Sequence, residues 1–237
     1  MATETKSPSG TKSRTLIRIA ATLILLTGIG IFTYPYIMQI LYDKESAKIF
    51  QSFETDVQSQ NLLLEELYQK MVDENNRLYE DGQNDLVDPF SYEQPGFDLT
   101  QYGLSDNIVG YISIPKMDTI LPVYLGASTE NMKLGAVHLT QTSYPVGGAN
   151  TNSVIAAHRG YSKALMFRKI DLLEIGDTVT LRNFREELEY TVAEIKIIAP
   201  DESQEILIQP QKELLTLMSC HPYPGHKLRY LVYCERC

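Results

Sequence analysis

The stretch LLTLMSCHPYPGHKLRYLVY, Leu214–Tyr233, reads as two strands around a turn rich in Pro and Gly, with a cysteine closing the first apolar run and an arginine nine positions later opening the second. Working outward, IVGYISIPK, TILPVYLG, SVIAAH, DTVTLR and EYTVAEIKII, which begin at Ile108, Thr119, Ser153, Asp177 and Glu189, are further short runs at similar intervals. The first two are rich in β-branched residues and bounded by Pro or Gly. Many short strands joined by irregular connections predict an all-β barrel or sandwich. Only KALMFRKIDLLEIG, Lys163 to Gly176, breaks the series with a helical look.

The 237 residues, 43% hydrophobic, suffice for one sizeable core with accessories, and a net charge of -9 gives no general attraction to nucleic acid. From Ile19 to Tyr42 no residue is charged, a stretch long enough to span a membrane. Lys6, Lys12, Arg14 and Arg18 precede it against the single acid Glu4, which predicts a cytoplasmic N-terminus and an exported remainder. Tyr34, Tyr36 and Tyr42 fit an interfacial aromatic belt. A cleaved signal peptide is the competing reading, because Gly28 and Gly30 are small and Pro35 could follow a cleavage site, but no A-x-A-like site closes the run.

Between Glu45 and Glu80, Ile49, Phe53, Val57, Leu64, Leu67, Met71 and Leu78 recur at spacings of three, four or seven, which predicts an amphipathic helix or helix pair. Residues 80–97 then turn to Gly, Asp, Asn and Pro, the composition of a loop. The expected organisation is a basic segment at 1–18, a membrane anchor at 19–42, an amphipathic helical segment at 43–80, a loop at 81–100 and a barrel at 101–237.

Three cysteines, Cys220, Cys234 and Cys237, are too few for a disulfide framework. CERC at the C-terminus admits a redox pair, a zinc site with His221 and His226, a surface disulfide or two free thiols; its place at the end of a strand and a His spacing unlike that of a zinc finger disfavour the first two. Of the four histidines, His158 stands out because it follows the apolar run SVIAA at a junction between strand and loop, as Cys220 does after LLTLMS. His138 and His226 are taken as structural or surface residues. A cysteine and a histidine at two strand ends suit nucleophilic thiol chemistry, and Arg229 could donate hydrogen bonds to the resulting oxyanion.

TLMSC, Thr216 to Cys220, resembles the sortase signature T-L-x-T-C, with Ser219 in place of the second threonine, and AAHRG around His158 resembles the sortase histidine segment. GYISIPK, TSYPVGG and IDLLEIGD look like stretches of the pilus-building, class C branch, so that the likeness covers about Val87 to Arg236. The resemblance implies a mainly β, closed sortase-type barrel with short helices, preceded by amphipathic helices and one transmembrane helix. It implies a catalytic set of His158, Cys220 and Arg229, with Lys227 as the nearest rival to Arg229, and an inhibitory lid anchored by Asp88, Pro89 and Phe90.

The implied activity is that of a cysteine transpeptidase on the outer face of a Gram-positive membrane. It would cleave an LPXTG-like motif between Thr and Gly and pass the acyl group to a lysine of a pilin subunit, with no cofactor or metal. Two departures stand out: the chain stops at Cys237 without the second membrane helix common in that branch, and His221 follows the nucleophile where a small or polar residue is usual. An anchored cysteine protease and a non-catalytic assembly scaffold are the alternative functions.

Overall fold

The computed structural model describes residues 9–59, 61–83, 98–161 and 163–237. The lid triplet Asp88, Pro89 and Phe90 lies outside them.

Helix α1, Ser9–Ser59, runs without a break through the uncharged stretch and on into the amphipathic segment, and α2 follows at Asn61–Asp81. Its apolar part is long enough to cross a membrane and is not buried by the rest of the protein. The three threonine hydroxyls of that part, on Thr22, Thr27 and Thr33, donate to the carbonyls of Arg18, Leu23 and Ile29, four residues back, at 2.8 to 2.9 Å. Hydroxyls satisfied within their own helix suit a hydrocarbon surrounding, which offers no partner.

Past Tyr42 the helical periodicity becomes packing. Phe53, Leu64, Leu67, Met71 and Leu78 are buried, and Ile49 and Val57 pack against the same core. Polar clasps fix α2 to the β domain: the Asn75 side chain donates to the carbonyl of Tyr144 and accepts from its N–H. Glu65 accepts two bonds from Arg185, whose guanidinium lies 3.8 Å from the Tyr68 ring centroid.

The β domain has eight strands: β1 Ile108–Ile114, β2 Thr119–Leu125, β3 Ala136–His138, β4 Thr151–Ala156, β5 Thr178–Asn183, β6 Glu187–Ile198, β7 Glu213–His221 and β8 Leu228–Arg236. They close into a barrel in the order β1-β2-β3-β4-β7-β8-β6-β5. All neighbours are antiparallel except β2 with β3 and β4 with β7. Closure leaves no open edge. Inward side chains such as Ile112, Leu121, Val154, Leu181, Leu217 and Val232 are all but inaccessible to solvent and form the core. At Gly110 on β1 an added Cβ would lie 2.0 Å from the Arg182 carbonyl oxygen, so the approach of β5 requires glycine there.

The helix expected over Lys163–Gly176 is absent. The segment is a series of turns with one 3-10 turn at Ile170–Leu172, and Met166 has φ 43, a left-handed conformation that ends any helix. Its apolar spacing has another cause: Ala164, Met166, Phe167, Ile170 and Leu173 all bury into the main core.

Candidate active site

The parallel pairing of β4 with β7 ends at Ala156 opposite Met218, and the Ala157 N–H donates to the Met218 carbonyl at 3.2 Å. His158 and Cys220 each lie two residues beyond that pair, so both leave neighbouring strands at the same height. On the other side of β7, Cys220 is the direct antiparallel partner of Arg229 on β8. Three residues far apart in sequence thus converge on one end of the barrel, where they line a cleft of about 490 Å³. Lys227, before the start of β8, is not among its lining residues.

The signature around Cys220 has a structural logic. The Ser219 hydroxyl donates to the Ala157 carbonyl at 2.7 Å, and that of Thr216 donates to Asn152 Oδ1 at 2.7 Å. Both bonds cross from β7 to β4. They fix the strand that carries the thiol against the strand that carries the imidazole, and serine does this as well as threonine would.

Arg229 is 6% exposed, and its Nη1 donates to the carbonyls of His226 and Leu228, which sets the guanidinium plane. His158 is half-buried, stacks on Tyr161 with ring centroids 5.6 Å apart, and accepts the Phe167 N–H on its backbone carbonyl. Burial lowers the pKa of its imidazole below the ordinary value of 6.5.

Several cleft residues carried no clear mark in the sequence. Arg159, 5% exposed, donates to His221 Nδ1 at 2.8 Å, pairs with Asp171 at 2.7 Å and lies over the Tyr230 ring. A guanidinium can only donate, so His221 Nδ1 is the acceptor and the neutral ring carries its proton on Nε2. The histidine after the nucleophile is therefore engaged by the Arg159–Asp171 pair. His226, expected to be structural or at the surface, also lines the cleft, as do Gly160 and Tyr223. The sequence signal that was available is the direct adjacency of Arg159 to His158.

Cys234 is fully buried in the barrel wall, where burial raises its thiol pKa, whereas Cys237 is exposed, and the two are not joined in a disulfide. Among the described residues no group of His, Cys, Asp or Glu side chains is placed to hold a metal. His138 is completely buried, donating from Nε2 to the Ser143 carbonyl at 2.9 Å.

The sequence and the fold have known counterparts. The profile of the sortase domain matches residues 112–237, more than half of the chain. The chain belongs to the sortase family. It is 32% identical over 130 residues to sortase D of Bacillus subtilis, covering 54% of this chain and 63% of that protein, and 28% identical over 158 residues to sortase A of Bacillus anthracis, covering 65% and 72%.

The barrel and its helices superpose on sortases from pili. Sortase C1 of Group B Streptococcus pilus island 1 matches with a TM-score of 0.73 and 28% identity, over 81% of this chain and 92% of that one. Streptococcus pneumoniae sortase C matches with a TM-score of 0.72 and 31% identity, over 80% and 96%. The closed barrel, the short helices and the long apolar N-terminal helix read from the sequence are all present.

Proposed function

We propose that this sortase is a pilus-type, class C transpeptidase with Cys220 as nucleophile, His158 as proton carrier and Arg229 as oxyanion donor. The observation that supports it is the convergence of these three residues, from β7, the end of β4 and β8, on one cleft. The Cys220 thiolate attacks the Thr carbonyl carbon of an LPXTG-like motif, and negative charge gathers on the carbonyl oxygen. Arg229 donates to that oxygen. Collapse of the tetrahedral species breaks the Thr–Gly bond, with His158 giving its proton to the departing glycine nitrogen.

The acyl group is then a thioester on Cys220. A lysine amine of a pilin subunit attacks it, His158 takes the proton, and the thiolate leaves as an isopeptide bond forms. Burial of His158 lowers the pKa of its imidazole, which favours the neutral ring that accepts a proton from the thiol or the incoming amine.

Anchoring through α1, with the barrel on the extracellular side, is the orientation that the basic residues before the uncharged stretch support. Incubating the full chain, in detergent, with a sorting peptide and a lysine-bearing acceptor tests the function. The expected product is the amide between the two. Free acid alone identifies a protease, and unchanged peptide identifies a scaffold.

A further inference from the structure

A second cavity lies between α1 and the barrel. It is about 360 Å³ in volume, and its floor is formed by Leu41, Tyr42 and Ile49 of α1, with Lys133, Leu134 and Lys163 from the barrel side. Its position along α1 is specific. The uncharged stretch Ile19–Tyr42 has 24 residues, about 36 Å of helix at ~1.5 Å per residue, against a hydrocarbon core of ~30 Å. The barrel already grips the last turn of that stretch: Gln39 Oε1 accepts the Leu165 N–H at 2.8 Å, and the Tyr42 hydroxyl donates to the Leu134 carbonyl at 2.9 Å. The two backbone segments bound there therefore stand at headgroup level.

What those segments present fits that level. Leu134 and Leu165 are 50% and 41% exposed, and Lys133 and Lys163 beside them are exposed too. Among the described residues neither lysine is in an ion pair, whereas Glu45, the acid of the cavity wall, is paired with Lys48. In a chain of net charge -9, exposed leucines flanked by uncompensated lysines mark a local surface suited to an anionic interface.

We propose that this face of the barrel is a lipid-docking surface, in which Leu134 and Leu165 enter the membrane interface and Lys133 and Lys163 hold an anionic phospholipid headgroup at the cavity. Tyr161 lines the same cavity and stacks on His158, so docking would fix the catalytic cleft at a set height and orientation above the bilayer. This rests on α1 being a membrane anchor.

The chain has no tryptophan, so one introduced residue reports its own surroundings. The full chain would be reconstituted in phosphatidylglycerol or phosphatidylcholine vesicles containing lipids brominated near the headgroup. Variants would be Leu134→Trp, Leu165→Trp, Leu25→Trp within the span, and Ile197→Trp, exposed on β6 on the wall opposite β3. With lipids brominated deep in the chains, Leu25→Trp should lose emission in either lipid.

Leu134→Trp and Leu165→Trp should lose emission to the headgroup-level lipids in phosphatidylglycerol, well beyond Ile197→Trp, and recover it when Lys133→Glu and Lys163→Glu are added. Quenching of Leu25→Trp without that of Leu134→Trp and Leu165→Trp overturns the docking surface and leaves the anchor standing. Absence of quenching at Leu25→Trp overturns the anchor and the docking surface together. Equal quenching in both lipids, insensitive to the lysine changes, overturns the anionic site.

Discussion

Cys220 and Arg229 are direct partners across the antiparallel ladder of β7 and β8. Such partners have Cβ atoms about 4.5 to 5.5 Å apart on one face of the sheet. The reach from thiol to guanidinium is therefore set by backbone pairing instead of by a loop. Arg229→Ala is predicted to lower kcat/KM for a sorting peptide by roughly 10²- to 10³-fold, the usual cost of a lost oxyanion donor, with the barrel still folded. Arg229→Lys keeps the charge but not the planar fork and should recover only part of it. Lys227→Ala should leave kcat/KM near the parent value; the opposite pattern would move the role to Lys227.

The lowered pKa of His158 predicts where activity fails in acid. An imidazole that resists protonation stays neutral to a lower pH, so the acid limb of the profile of kcat/KM against pH should have its midpoint below 6.5. Tyr161→Ala opens the stacked face of the ring to water, weakens the cause of the shift and should move that midpoint upward. A midpoint that is unmoved would show that Tyr161 does not contribute to the burial.

Gly160 tests the cleft wall. An added Cβ would lie 2.3 Å from Cε2 of Tyr223, whose ring sits 4.1 Å from the Arg168 guanidinium. Tyr223 is exposed enough to swing away, so Gly160→Ala should change stability little while displacing the ring into or out of the substrate path. A raised KM with unchanged thermal midpoint is the expected outcome. A lowered midpoint with unchanged KM would show that the wall is structural.

His138 links stability to pH. Complete burial pushes its pKa down to about 4 from 6.5, so the unfolded chain binds a proton that the folded chain refuses between those values. Its contribution is whole above pH 6.5 and is lost as pH falls toward 4, by roughly 3 kcal/mol at about 1.4 kcal/mol per unit. Denaturant titrations at a series of pH values should show this slope in the parent and a flatter one in His138→Gln, whatever its absolute stability.

Much of this was legible in the sequence because it was carried by local pattern. The β-branched runs around Ile112, Val123, Val154, Val179 and Val192 became strands, and the helical spacing from Ile49 to Leu78 became a buried face. Strand β3 was missed because Ala136–His138 is too short to show a period of two. The Lys163–Gly176 segment misled because a loop that repeatedly dips into a core can imitate helical spacing, and a left-handed Met166 leaves no mark in composition. Cys220 and His158 could be singled out by their places at strand ends, and Arg229 by its chemistry and its place on the strand after the cysteine. The His221–Arg159–Asp171 chain could not, since its members lie on three segments that only the closed barrel brings together.

Mass spectrometry of the full chain after brief incubation with a sorting peptide, followed by peptide mapping, tests the central claim most directly. The account predicts a thioester adduct ending in the threonine acyl group, carried on Cys220, absent in Cys220→Ala and discharged by an added lysine amine. Cys237 is an exposed thiol in the same molecule and serves as an internal comparison. An adduct on Cys237, or one that persists in Cys220→Ala, or no adduct while peptide is consumed, would contradict it.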